Sequence, residues 1–223
     1  MQDRFSGHLH ELAEPIWRAQ HEHPFVRGIS DGTLDVAHFA YWVRQDYLFL
    51  KDYARLFGIA AARAPEAEAL ARFVALAHAT LDVELDLHRA YAARFGITAT
   101  ALEAEPASPT TMGYVNFLLR TALLGSYAEI VAALLPCMWG FCEIGQRLAA
   151  QPRPSDARYN EWIEMYSSAE FAELNDWCRE QVDRAALGLP ASELKRMEDV
   201  FVTSSRYEYL FWDAAWRMEG WPV

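Results

Sequence analysis

The chain has 223 residues, of which 52% are hydrophobic and 23% charged, so it can bury a full core and is excluded from the intrinsically disordered class. Twenty basic residues against 31 acidic ones give a net charge of −11, which opposes binding to nucleic acid or to an anionic membrane. Three cysteines without a Cys-x-x-Cys pair exclude a disulfide framework and favour reduced thiols in a cytosolic setting.

The first 15 residues lack the apolar segment of a signal peptide, so we expect them to belong to the folded protein. Apolar residues recur at three- and four-residue spacing almost throughout, which predicts an all-α protein. The first helix is expected over about residues 3–21, where the following His-Pro pair ends it. A turn at 30–33 then leads to a long helix over about 35–64.

A further helix is predicted over about residues 66–95, starting just after Pro65. Its expected core positions are Leu70, Phe73, Leu76, Ala77, Leu81 and Leu85. Residues 97–109 and 151–155 contain prolines and are expected to form loops. Because such short breaks are typical of loops within a bundle, we expect a single domain over 1–223. The remaining helices are predicted over about 110–124, 126–150, 156–167, 168–187 and 191–219.

Two general features leave function open. The aromatic content of 13%, with eight tryptophans, indicates either a large filled core or a pocket that stacks a flat ligand. No run approaches 18 apolar residues, so no membrane-spanning segment is expected.

Cys137 is the first candidate for chemistry, because it follows Pro136 inside an apolar helix. A proline within a helix removes a backbone hydrogen bond and kinks the chain, and a kink can shape a cavity. Phe141, four residues later, lies on the same helical face. Cys137 therefore either packs in the core or serves as a nucleophile, while Cys142 and Cys178 are interpreted as packing residues.

Two acids lie among aromatic residues in predicted helices, Asp46 and Glu208. Asp46 either faces solvent, is paired inside the core, or accepts a hydrogen bond from an amino or ring N–H group of a ligand. For Glu208, burial would favour the protonated acid and suit a proton donor near neutral pH. An ion pair with Arg206 or Arg217 is the alternative interpretation of Glu208.

Metal binding is not expected. Glu84 and His88 have the four-residue spacing of two ligands on one helix face, with Glu143 as a further candidate. However, no histidine follows His88, so only half of the paired Glu-x-x-His motifs of a di-metal bundle is available.

The chain carries, in order, HPFV at 23–26, DGTL at 31–34, QDY at 45–47, SPT at 108–110, LLPCMW at 134–139, YEYLFW at 207–212 and EGW at 219–221. Together these segments resemble the thiaminase II (TenA) family over nearly the whole chain. The resemblance implies a haem-oxygenase-like all-α domain, usually a homotetramer, that uses no metal or organic cofactor. It also implies hydrolysis of aminopyrimidine, and in many members of thiamin, to hydroxymethyl pyrimidine for thiamin salvage.

The resemblance also implies roles for individual residues. Cys137 would be the nucleophile, Glu208 the proton donor, and Asp46 the group that binds the amino group and ring nitrogen of the pyrimidine. Tyr166 would contact the substrate and support Glu208. Tyr114 would line the pocket, and Phe141 would pack on the pyrimidine.

Phe49 departs from the family pattern. Well-studied members carry a tyrosine three residues after the aspartate, and its hydroxyl is thought to help activate the cysteine. Tyr47 projects from another face of the helix and is not expected to replace it. Losing one hydrogen bond to a developing thiolate costs about 1.5–3 kcal/mol, or ~10–150-fold in rate. The protein is thus a slower thiaminase, recruits Tyr114, or prefers another pyrimidine.

Two other hypotheses remain at this point. A non-catalytic pyrimidine binder or regulator would tolerate the change at Phe49, although the acidic composition argues against direct DNA binding. A helical-bundle metal oxidase would share the fold, and the shortage of histidines argues against it.

Overall fold

The computed structural model describes residues 4–223, apart from the side chains of Val83, Glu84 and Leu87. All regular elements in that part of the chain are helical, which confirms the all-α prediction. The helices are α1 Phe5–His21, α2 Pro24–Asp31, α3 Val36–Arg63, α4 Ala67–Ala79, α5 Leu85–Ala93, α6 Ala99–Ala104, α7 Pro109–Leu124, α8 Tyr127–Ala149, α9 Ala157–Tyr166, α10 Ala169–Ala186 and α11 Ala191–Arg217. A π-helical turn, Thr80–Glu84, joins α4 to α5.

The chain forms two compact units. Unit 1 comprises the chain through Asp35 together with Val131–Asp213. Unit 2 comprises Val36–Ile130 together with Ala214–Val223. In unit 1, α1 packs on α2 and α10; in unit 2, α3 packs on α4, α5, α6 and α7. The expected single domain over 1–223 stays a prediction.

The short helix α2 in unit 1 was not predicted. Pro24 occupies its first turn, where a missing N–H is harmless, and the His23 ring caps it by accepting a hydrogen bond from the Phe25 N–H at 3.2 Å. Gly32 ends it with a φ of +69°, a left-handed conformation that favours glycine. The His-Pro pair therefore ends one helix and begins another, whereas only the end of the first helix was predicted.

The segment between α3 and α7 in unit 2 corrects two predictions. The single helix expected over 66–95 is α4, the π-helical turn and α5, and the loop expected over 97–109 contains α6, capped by the Thr98 hydroxyl. Phe73, Leu76 and Leu85 are buried as predicted, but Leu70 and Leu81 are 44% and 48% exposed. Leu81 lies in the π-helical turn, where a count of 3.6 residues per turn no longer gives the helix face. Leu70 lies on α4, which carries apolar residues beyond the face that packs on α3.

The helix α8 is apolar along most of its length. Among the described residues it is the helix whose length and composition would allow it to cross a membrane. Of its most apolar window, 78% is buried inside the protein, as in the core helix of a soluble protein. The candidate cysteine therefore lies on a core element.

Candidate active site

Cys137 lies near the middle of α8, within unit 1, one residue after Pro136. Pro136 has no N–H to offer the carbonyl of the preceding turn, so α8 lacks one backbone hydrogen bond just before the cysteine. Cys137 is half-buried, whereas Cys142 and Cys178 are only 2% and 1% exposed. Among the cysteines, Cys137 is therefore the most accessible to a small molecule.

Cys142 has the properties of a packing residue, as predicted. Burial first, and then the nearby acids Asp176 and Glu143, raise the pKa of its thiol to about 11. The side-chain amide of Gln146 also donates a hydrogen bond to its sulfur at 3.4 Å. At neutral pH this thiol stays protonated, and a protonated thiol is a poor nucleophile.

Phe141 and Tyr166, both predicted from the sequence, come together in an aromatic cluster of unit 1. Their ring centroids are 4.8 Å apart. Trp212 lies 5.0 Å from Phe141, and Trp162 lies 4.7 Å from Tyr166. Such a cluster supplies flat apolar surface one turn after Cys137 on the same helix.

Gly145 explains how Tyr166 reaches this position. A Cβ atom at Gly145 would lie 2.6 Å from the carbonyl carbon of Tyr166, which is closer than real Cβ contacts. The absence of a side chain therefore lets the end of α9 approach the backbone of α8 directly. This role was not predicted, although a glycine inside a strongly helical segment is a usable signal.

Glu208 lies on α11 in unit 1 and is 3% exposed. One turn earlier, the buried Ser204 hydroxyl donates a hydrogen bond to the Ala133 carbonyl at 2.7 Å. Ala133 precedes Cys137 by one turn of α8, so this bond ties the acid-bearing helix to the thiol-bearing helix beside both groups. Two arginines were considered as ion-pair partners of Glu208. Arg206 is exposed, and the guanidinium of Arg217 lies 3.9 Å from the carboxylate of Glu219.

Asp46 lies on α3 in unit 2 and is 4% exposed. Its Oδ2 atom is 2.6 Å from Nε2 of His88, which projects from α5 and is 6% exposed. Between a solvent-facing acid and one paired inside the core, the structure therefore has the second, and ligand binding by this buried acid stays a prediction. The sequence spacing indicates for His88 only the role of a metal ligand, and the side chain of Glu84, the other residue of that pattern, lies outside the described residues.

Phe49 and Tyr114 are also close together in unit 2. Their ring centroids are 5.1 Å apart, and the residues are 3% and 1% exposed. The hydroxyl of Tyr47 instead donates to Glu103 and accepts a 3.0 Å hydrogen bond from Arg89. Tyr47 is thus committed elsewhere, as predicted, while Tyr114 places a phenol beside the ring of Phe49.

A family model described as TENA/THI-4/PQQC family matches residues 10–218. The chain belongs to this family. It is 45% identical to a protein of Halalkalibacterium halodurans named aminopyrimidine aminohydrolase, over 97% of each chain. The resemblance to TenA proteins that the sequence motifs indicated is thereby confirmed.

Solved structures support the same assignment. A TenA homologue protein from P. horikoshii OT3 superposes with a TM-score of 0.90, at 29% identity and over 96% of this chain and 99% of that chain. A domain of unknown function with a heme oxygenase-like fold, from Shewanella denitrificans OS217, gives a TM-score of 0.71 at 13% identity, over 94% of this chain and 91% of the other. At that identity the likeness shows the fold alone, and it confirms the haem-oxygenase-like prediction.

The residues considered as metal ligands have other partners where the structure describes their side chains. Glu143, the further candidate, binds His10 and His21 through its two oxygens at 3.0 and 3.3 Å. Among the residues that the structure describes, no three or more His, Cys, Asp or Glu side chains are arranged to hold a metal ion.

Proposed function

We propose that this TenA-family protein hydrolyses 4-amino-5-aminomethyl-2-methylpyrimidine to hydroxymethyl pyrimidine and ammonia, as a cytoplasmic step of thiamin salvage. The observation that carries the proposal is the near full-length similarity to a protein named aminopyrimidine aminohydrolase. Thiamin is the second substrate to be considered, since cleavage at the same methylene gives the same pyrimidine product.

The proposed nucleophile is Cys137. Its thiolate adds to the electron-poor pyrimidine ring, and the amino group on the exocyclic methylene departs as ammonia after taking up a proton. Water then adds at the methylene, and the thiolate is expelled, which restores the aromatic ring. The half-buried setting of Cys137 supports this role, since the thiol has access to a ligand and the other two cysteines do not.

Glu208 is proposed as the proton donor for the ring or the leaving group. A carboxyl group that is 3% exposed is shielded from water, and such a setting favours the neutral acid that a proton donor requires. The hydrogen bond from Ser204 to Ala133 supports the role, because it fixes the helix that carries the acid.

Substrate binding is proposed for five residues. Asp46 accepts the hydrogen bond from the pyrimidine amino group, and its burial makes that bond stronger than it would be in water. The aromatic side chains proposed to pack against the flat ring are Tyr166, Phe141, Tyr114 and Phe49. Their clustering into Phe141–Tyr166 and Phe49–Tyr114 pairs supports this assignment.

A homotetramer is proposed as the assembly, on the basis of the family. Light scattering should then give about four times the chain mass of 25.4 kDa. A mass equal to that of one chain would contradict the tetramer without affecting the proposed reaction.

The test is product formation by purified protein, with the aminopyrimidine and thiamin offered separately and hydroxymethyl pyrimidine detected by chromatography. Cys137→Ser should lower turnover about 10³-fold or more, because it removes the nucleophile. Cys142→Ser is the matched control and should stay within about twofold, because a packing thiol does not react.

Two results would change the conclusion. Unchanged turnover in Cys137→Ser would remove the cysteine mechanism. Tight pyrimidine binding by the wild type without any product would favour the non-catalytic binder, the alternative that the replacement of a tyrosine by Phe49 supports.

A further inference from the structure

We propose that His88 is a positioning residue that orients the Asp46 carboxylate and thereby makes the site selective for pyrimidines that carry a 4-amino group. The ligand class rests on the proposed function. The pairing of the two side chains does not, since it follows from the geometry of unit 2 alone.

The geometry is that of a short, buried hydrogen bond between two helices. Nε2 of His88 on α5 lies 2.6 Å from Oδ2 of Asp46 on α3, and the two side chains are 7% and 6% exposed. An ionised carboxylate can only accept, so the proton belongs to the imidazole and Nε2–H donates. A charge-assisted bond of this length in a water-poor setting restricts rotation of the carboxylate.

The imidazole is itself held in place. The indole ring of Trp42 lies 6.2 Å from the ring of His88, at an interplanar angle of 43°. Trp42 precedes Asp46 by four residues, so both project from the same face of α3 towards α5. Packing on one side and a hydrogen bond on the other fix the direction of the Nε2–H.

The two carboxylate oxygens of Asp46 differ in their hydrogen bonds. His88 occupies Oδ2, whereas Oδ1 makes no hydrogen bond with any residue that the structure describes. Oδ1 therefore keeps its acceptor capacity for a ligand. A buried acceptor favours a ligand that brings an N–H donor and disfavours one that lacks it, since the latter leaves the oxygen unpaired.

A merely structural bond between α3 and α5 would behave differently. It would hold the helices together, so its loss would lower stability and weaken every ligand by a similar factor. A positioning role predicts that the loss depends on whether the ligand has the amino group. The two roles are therefore separated by comparing ligands rather than by measuring activity alone.

The experiment measures dissociation constants for hydroxymethyl pyrimidine and for the same molecule without its 4-amino group, in wild type, His88→Asn and His88→Gln. A Gln side chain places an amide N–H near the position of Nε2, whereas Asn is one carbon too short to reach Oδ2. His78→Asn is the matched control, because His78 on α4 forms an exposed ion pair with Asp82 at 3.0 Å.

We expect His88→Asn to weaken binding of hydroxymethyl pyrimidine about 10- to 100-fold, which is the range of one hydrogen bond to a charged group. Binding of the molecule without the 4-amino group should weaken by less than about threefold. His88→Gln should recover most of the loss, and His78→Asn should match the wild type. In turnover, His88→Asn should raise KM for the aminopyrimidine and leave kcat within about threefold, as expected for lost ground-state binding.

Equal weakening of both ligands by His88→Asn, in protein with a wild-type circular dichroism spectrum, would overturn the positioning role. Unchanged discrimination in His88→Asn would overturn it as well. If His88→Asn does not fold, the comparison of His88→Gln with wild type tests the positioning role. A folded His88→Gln protein that no longer discriminates between the two ligands would contradict rescue by an amide donor. If the wild type binds neither pyrimidine, the proposed function fails first and the ligand selectivity falls with it.

Discussion

In unit 1 the acid Glu208 lies on a helix fastened through a hydroxyl-to-carbonyl hydrogen bond from Ser204 to Ala133, whereas in unit 2 the acid Asp46 is held directly by another side chain, His88. The first arrangement fixes the backbone of the helix that carries the acid. The second fixes the carboxylate itself. Proton transfer requires an acid that can change its protonation state, and recognition requires one whose orientation is constant, so the setting of Glu208 suits the first role and that of Asp46 the second.

Replacing each acid by its amide should separate these roles and gives the largest expected effect. Glu208→Gln should lower kcat about 10²–10⁴-fold, the contribution of a general acid, with KM for the aminopyrimidine little changed. Asp46→Asn should mainly raise KM, because it weakens ligand binding. Steady-state kinetics on the two variants tests the assignment, and the reverse pattern would exchange the two roles.

The phenol of Tyr114 should have the next largest effect. Tyr114→Phe removes the hydroxyl that lies beside Phe49 and should lower kcat about 10–150-fold if that hydroxyl assists the cysteine. Phe49→Tyr is the complementary variant, and we expect it to raise the turnover of thiamin. Wild-type turnover in Tyr114→Phe would show that the chain works without a phenol in this cluster.

The sequence predicted most of the helices and the residues with chemical side chains, because both leave strong local signals. Amphipathic periodicity marks a helix, and a cysteine after a proline or an acid among aromatics is visible in one segment. Features that depend on pairing distant segments were missed. The bond between His88 and Asp46 joins residues in different helices, and the role of Gly145 depends on where the backbone of Tyr166 arrives.

The π-helical turn Thr80–Glu84 shows why the remaining errors occurred. A uniform period of 3.6 residues predicted one helix and placed Leu81 in the core, but Leu81 lies within the wider turn and is exposed, while Leu85 after the turn is buried. A count along one segment also cannot show that His88, which follows the turn, projects towards Asp46 on another helix. Local pattern identifies candidate groups, and tertiary packing decides which of them meet.

Two Gly→Ala substitutions compare a close helix contact in unit 1 with an open helix surface in unit 2, since each adds one methyl group. Gly145→Ala should destabilise the protein by about 1–3 kcal/mol, the cost of overpacking, because its Cβ would clash with Tyr166. Gly58→Ala on α3 meets nothing within 4 Å and should stabilise it by about 0.5–1 kcal/mol, the gain in helix propensity. Chemical denaturation measures both, and equal effects would show that the α8–α9 contact can relax.

The smallest expected effect concerns the cap of α2 in unit 1. Burial lowers the pKa of His23 below its ordinary value of 6.5, against the opposing influence of Asp213, whose Oδ1 lies 3.9 Å from Nε2. The neutral ring is also what the cap needs, because Nδ1 accepts the Phe25 N–H and cannot do so when protonated.

The unfolded chain therefore binds a proton at His23 more readily than the folded chain does. The stability contributed by neutral His23 is present above pH 6.5 and decreases as pH falls from 6.5 towards the lowered folded-state pKa. The expected change in Tm is at most about 2–4 °C, which corresponds to about 1 kcal/mol in a protein of this size.

Scanning calorimetry between pH 7.5 and pH 5 should show this decrease in wild type and a shallower one in His23→Asn, since asparagine caps a helix without titrating in that range. Parallel curves would mean that other groups, such as the His10–Glu143–His21 cluster of the same unit, dominate the acid response. His21 in that cluster has the same sign as His23, because burial outweighs the attraction of Glu143 and lowers the pKa of His21 as well. Protonation in acid therefore weakens the fold at both places, and the difference in slope between wild type and His23→Asn isolates the share that belongs to the cap.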